Sequence, residues 1–103
     1  MTEWVPVPEA VALAEGAMAG VSVAGRKLLL FRTRAGYFVT ERRCTHQAAD
    51  LLRGYFSGDV IECPVHQGRF DVRTGCVLGA PASEPLRTFP VKVVDAQVFV
   101  ELG

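Results

Sequence analysis

Short apolar runs, broken every few residues by glycine, proline or small polar pairs, set the rhythm of this chain. Trp4–Val7 reads as a first strand, and Pro6 marks it as an edge, because proline has no amide to give a ladder. Glu9–Ala14 suggests one brief helical turn before Gly16 and Gly20 interrupt it. Val21–Val23, Ala24-Gly25 and Lys27–Arg32 read as strand, tight turn and strand. Arg34-Ala35-Gly36 then turns the chain into Tyr37–Glu41, where apolar and polar side chains roughly alternate. Thr88–Val94 and Gln97–Leu102 form a last hairpin around Asp95-Ala96. No helix-period pattern of useful length is present. Short strands at regular spacing predict an all-β fold, a small β-sandwich or barrel.

Arg42 to about Pro85 departs from that rhythm. It is rich in Gly, Pro, Cys and His, with one clear strand at Asp59–Glu62 and a shorter one at Arg69–Val72. Long irregular segments in small domains are usually functional, or are held by something other than a core. A metal centre is the candidate here. With no repeat, low-complexity tract or linker, residues 1–103 are expected to form a single domain, and residues 42–85 an inserted binding segment.

Composition narrows the function. Half the residues are hydrophobic and 21% are charged, which argues against disorder. Eleven basic residues balance eleven acidic ones, so no basic excess is available for a phosphate backbone, and nucleic acid is not an expected partner. The start of the chain carries Glu3 and two prolines where a signal peptide needs a basic start and an apolar run. No uninterrupted apolar run, Leu28–Phe31 included, approaches the ~20 residues of a spanning helix. A soluble, cytoplasmic protein without a membrane partner is expected. Three cysteines do not make an even disulfide set, and in a reducing compartment cysteines set beside histidines are more often metal ligands.

The informative residues are Cys44-Thr45-His46 and Cys63-Pro64-Val65-His66, which together use both histidines of the protein. Each segment offers one soft thiolate and one imidazole. Thiolates select zinc, copper(I) or iron–sulfur chemistry, and imidazole suits zinc or iron. The four donors can place two sulfurs on one iron and two ring nitrogens on the other iron of a [2Fe–2S] cluster. They also match tetrahedral zinc in number, so a structural zinc module is the alternative, although neither pair has the usual Cys-x-x-Cys or His-x₃₋₅-His spacing.

Cys44-Thr45-His46, followed by Gly58–Asp71 with its Cys63-Pro64-Val65-His66-Gln67-Gly68 core and by Thr74-Gly75, resembles the Rieske-type [2Fe–2S] ferredoxins of bacterial aromatic-ring-hydroxylating dioxygenase systems. The likeness extends more loosely from about Pro6 to the C-terminus, including Gly36-Tyr37-Phe38-Val39 and the Pro81 loop. The resemblance implies a Rieske-like fold with two cluster-binding loops. Cys44 and Cys63 would bind the inner iron, and His46 and His66 the outer one. Gln67-Gly68 and Gly79–Pro81 would shield the cluster and offer it backbone amides. High-potential respiratory members carry an additional cysteine in each loop, joined in a disulfide; Ala49 and Val65 stand there in this chain. Their serine and tyrosine donors are replaced by Gly68 and Phe70, which implies a potential toward the low end of the Rieske range, roughly −150 mV.

The function implied is a one-electron carrier. It would take electrons from an NAD(P)H-dependent, flavin-containing reductase and hand them to a terminal oxygenase with a mononuclear iron, in aromatic hydrocarbon catabolism. No third histidine remains for a second metal triad, and no dinucleotide fingerprint or nucleophile–base pair is present, so no catalysis is expected of the chain itself. A nitrite-reductase-like small subunit is the alternative within iron–sulfur proteins. A monomer is expected, since electron transfer favours small, transient contacts. Cys76 reads as a redox-silent thiol, Phe56, Phe70 and Phe89 as core, and the charges of the central segment as solvated surface.

Overall fold

Leu28–Phe31 is uninterrupted because its strand is buried on both faces, and the rest of the chain is arranged around it. In the computed structural model, which describes residues 3–45, 49–65, 67–79 and 84–102, the described residues form eleven strands. In chain order these are β1 (Trp4–Pro6), β2 (Met18–Val23), β3 (Arg26–Thr33), β4 (Gly36–Glu41), β5 (Tyr55–Ser57) and β6 (Val60–Glu62). They continue with β7 (Arg69–Asp71), β8 (Val77–Gly79), β9 (Thr88–Phe89), β10 (Val91–Val94) and β11 (Gln97–Glu101). Pro8–Ala12 and Leu51–Arg53 form short 3-10 turns. All described pairings are antiparallel, in three sheets with orders β1-β11-β10, β2-β3-β4-β9 and β5-β6-β7-β8. Among the described residues, no helix is long and apolar enough to cross a membrane.

Alternation along β3 divides the interior in two. Leu28 and Leu30 join Val21, Val23, Val39, Val98 and Val100 in a core between the first two sheets, which makes the sandwich. Leu29 and Phe31 point the other way, into a second core with Leu51, Ile61, Phe70, Val72 and both loop cysteines. A strand covered on both sides needs apolar residues at consecutive positions. Phe56 packs edge-on against Phe31 at 4.9 Å between ring centroids. Phe70 and Phe89 are buried, as expected of core residues.

Both predicted hairpins form. Ala24-Gly25 and Asp95-Ala96 have positive φ at both positions, the turn whose twist matches paired strands. Several boundaries differ from the sequence reading. The helical turn runs over Pro8–Ala12 and β2 begins at Met18, so Gly20 lies inside a strand rather than ending an element. A Cβ on Gly20 would stand 2.9 Å from Arg42 Nη1 and 3.2 Å from Leu52 Cδ2, so the bare glycine admits the base of a loop from the neighbouring layer. Thr88–Val94 is two strands: Pro90 cannot donate, and the chain passes there from β4's sheet to β11's. In the central segment β5 and β8 were not expected. Three-residue strands are too short to show alternation, and both pair as edges of the third sheet.

Candidate metal centre

The two cysteine segments leave different sheets, the second at β4 and the third at β6. Cys44 follows β4, and Cys63 follows β6 directly. Each loop closes in the same way: the Cys44 amide donates to the Ala49 carbonyl at 2.9 Å, and the Cys63 amide to the Gly68 carbonyl at 2.7 Å. In both, the cysteine bonds a carbonyl five residues on, so each sulfur projects from the start of a tight loop. Gln67 takes a left-handed backbone (φ 60°), which turns the second loop back into β7. Cys44 and Cys63 are 3% and 1% exposed, although they lie on loops.

The two sulfurs meet. The Cys44 thiol lies within hydrogen-bonding reach of Cys63, and the Val65 amide donates to the Cys63 sulfur. Burial pushes the Cys63 thiol up, the Val65 amide opposes that rise, and the adjacent Cys44 adds to it. Two buried thiols held together, neither in a disulfide, form a donor pair that a soft, positively charged iron would stabilise by displacing their protons. The arrangement fits the sulfur half of a [2Fe–2S] site. His46 and His66, the expected nitrogen donors, lie outside the described residues, as does most of the Gly79–Pro81 loop. Cys76 is exposed in the turn between β7 and β8, outside both loops.

Charged residues are more organised than a solvated surface. Arg42 binds Asp50 through two parallel hydrogen bonds, Nε to Oδ1 and Nη2 to Oδ2, each 2.9 Å. Asp50 Oδ1 also accepts the Leu52 amide at 3.0 Å, capping the Leu51–Arg53 turn. The Arg42 guanidinium holds the Asp50 carboxyl below the usual carboxylate range, and Asp50 in turn raises Arg42. At the end of β7, Arg73 bonds Asp71 within a single turn (3.2 and 3.0 Å) and lowers its carboxyl likewise. Thr45 Oγ1 donates to the Glu84 carbonyl at 2.7 Å, tying the first loop to the segment that leads into β9. Sequence reasoning missed Arg42, Asp50 and Thr45. The only hint was the placement of opposite charges on either side of Cys44-Thr45-His46.

The sequence profile of the Rieske [2Fe-2S] domain matches residues 3–90. The ferredoxin component of the naphthalene 1,2-dioxygenase system of Pseudomonas putida is 44% identical over 98 residues, which are 92% of this chain and 94% of that protein. The solved ferredoxin of carbazole 1,9a-dioxygenase from Nocardioides aromaticivorans IC177 has a TM-score of 0.83 at 30% identity, covering 97% of this chain and 96% of its own. A complex of reduced oxygenase and oxidized ferredoxin in carbazole 1,9a-dioxygenase contains a chain with a TM-score of 0.83 at 36% identity, covering 96% of this chain and 91% of that one. Profile and relatives make the cofactor one Rieske-type [2Fe–2S] cluster. The chain belongs to the Rieske [2Fe–2S] domain family.

Proposed function

We propose that this chain is a one-electron carrier between an NAD(P)H-dependent flavoprotein reductase and a terminal aromatic-ring dioxygenase. Residues 1–103 act as a single domain in which about 42–85 is the cluster-binding segment. Cys44 and Cys63 hold one iron, and His46 and His66 hold the other through ring nitrogens. The observation that carries this reading is the meeting of two buried thiols from two separate loops. When bound there, the cluster supplies reversible storage of one electron.

The chain's own residues set the terms. Burial of Cys44 and Cys63 keeps water from the sulfurs. Neutral imidazoles in place of two more thiolates make the site less negative, so an added electron is repelled less. Gly68 and the fully buried Phe70 offer no hydroxyl to the sulfurs, which favours a potential near the low end of the Rieske range, roughly −150 mV. The far nitrogens of His46 and His66 would face a docked partner, and loss of their protons would lower the potential at alkaline pH. We assign the carrier to the cytoplasm, where nicotinamide supplies reducing equivalents, and expect it to work as a monomer. Relatives that are ferredoxin components of dioxygenase systems support this reading over a nitrite-reductase-like subunit.

Purified protein tests it directly. A red-brown chain with equal iron and acid-labile sulfide, reduced by a flavoprotein reductase with NADH and reoxidised by a terminal aromatic-ring oxygenase, is the expected result. A colourless zinc protein, or turnover of an aromatic substrate by this chain alone, would contradict it.

A further inference from the structure

The loop that carries Cys44 and His46 is fastened at its base by an ion pair, and among the described residues no ion pair closes the base of the second loop. Arg42 and Asp50 flank the loop, and their side chains meet through two parallel 2.9 Å hydrogen bonds. The backbone agrees: Arg43 and Asp50 form an isolated antiparallel bridge, and the Leu51 amide donates to the Arg42 carbonyl at 2.9 Å. Asp50 is engaged a third time by the Leu52 amide. The pair is also pressed from below. Gly20, in the middle of β2, leaves just enough room for the guanidinium, since a Cβ there would meet Arg42 Nη1 at 2.9 Å. A glycine inside a strand weakens it unless another group approaches closely, and here the approaching group is this side chain.

We propose that Arg42 and Asp50, seated on Gly20, form a positioning clamp that fixes the first cluster-binding loop against the sandwich. The inference rests on the assignment of Cys44 and His46 as ligands. A planar guanidinium bound through two parallel bonds restrains direction as well as distance. The side chains are 28% and 33% exposed, so water competes with the pair less than at an open surface. The clamp therefore holds the two ends of the loop together, where Arg43 bridges Asp50 and the Cys44 amide meets the Ala49 carbonyl, and separation of those ends would draw Cys44 from its iron. Arg73 and Asp71 provide an internal contrast. They are two residues apart in one turn and more open to solvent on the Arg73 side, at 47%, and they span no ligand loop.

The test uses the cluster-loaded protein and does not depend on electron-transfer activity. Iron release to an external chelator is followed by loss of visible absorbance, beside the thermal midpoint and the electron paramagnetic resonance lineshape of the reduced protein. Arg42→Ala and Asp50→Asn should each speed iron release about tenfold and broaden the resonance, the double variant doing no more than either single one. Gly20→Ala, which leaves both charged partners intact, should speed release two- to threefold by displacing the guanidinium, and it keeps the test open if the charge variants fold poorly. Arg73→Ala should leave iron release unchanged. Wild-type release rates in Arg42→Ala and Gly20→Ala, or equal acceleration in Arg73→Ala, would overturn the clamp. His46→Ala and His66→Ala guard the premise. If they retain a normal cluster, the ligand assignment falls and the clamp with it. If they lose it while Arg42→Ala behaves as wild type, the clamp alone falls.

Discussion

The sandwich and the cluster-binding layer share strand β3 but are held together differently. On one face of β3, Leu28 and Leu30 pack into a core of valines drawn from five- to eight-residue strands. Tight positive-φ turns join those strands. On the other face, Leu29 and Phe31 meet strands only three residues long. That layer depends on close backbone approaches, ion pairs and the two cysteines buried in its core. The sandwich is therefore a scaffold held by its strand ladders and apolar packing, with no cluster ligand among the described residues of its core. The second layer owes part of its order to the metal it holds, because ligand binding adds to folding free energy when an unfolded chain has no site.

The largest effect should come from removing a sulfur. Cys63→Ser is expected to abolish the cluster, with hydrogen-exchange protection falling across residues 55–79 while 18–33 and 91–101 stay protected. Uniform loss of protection over the whole chain would erase the distinction between the layers. Next come the two faces of β3. Leu29→Ala and Leu30→Ala remove fully buried side chains and should each cost about 2–5 kcal/mol in denaturant unfolding. Only Leu29→Ala should also accelerate iron release, since only Leu29 faces the second core. Equal release rates would show that the cores act as one.

Much of this was legible in the sequence, for reasons tied to particular residues. Gly25 and Asp95 announce turns because glycine and aspartate adopt positive φ more readily than other residues, and longer strands on both sides give the pattern room to show. Cys44, His46, Cys63 and His66 stand out because soft donors at such spacing have few other uses. β5 and β8 did not show, because three residues cannot display alternation and their pairing is long-range. The break at Pro90 was visible as a proline, but a change of sheet depends on partners elsewhere in the chain. The Arg42–Asp50 clamp was hidden because opposite charges at such spacing are common, and only the fold brings these two together over Gly20.

Smaller effects sharpen the same contrast. A Cβ on Gly54 would collide with the Glu62 carbonyl, one residue before Cys63. Gly54→Ala should therefore cost about 1–3 kcal/mol and loosen iron retention, seen as a lower thermal midpoint and faster bleaching. Ala96 sits at φ 65° in the far hairpin of the sandwich. Ala96→Gly relieves that strain against the added freedom of the unfolded chain, for a net gain of about 0.5 kcal/mol with the visible spectrum untouched.

The most direct measurement is pulsed electron paramagnetic resonance of the reduced protein with ¹⁵N-labelled histidine. Two inequivalent histidine nitrogens should couple to the reduced cluster, with a low average g-value, and one coupling should vanish in His46→Ala or His66→Ala if any cluster survives. A spectrum without histidine nitrogen coupling, matching an all-sulfur cluster, would contradict the assignment of two cysteines and two histidines to the iron pair.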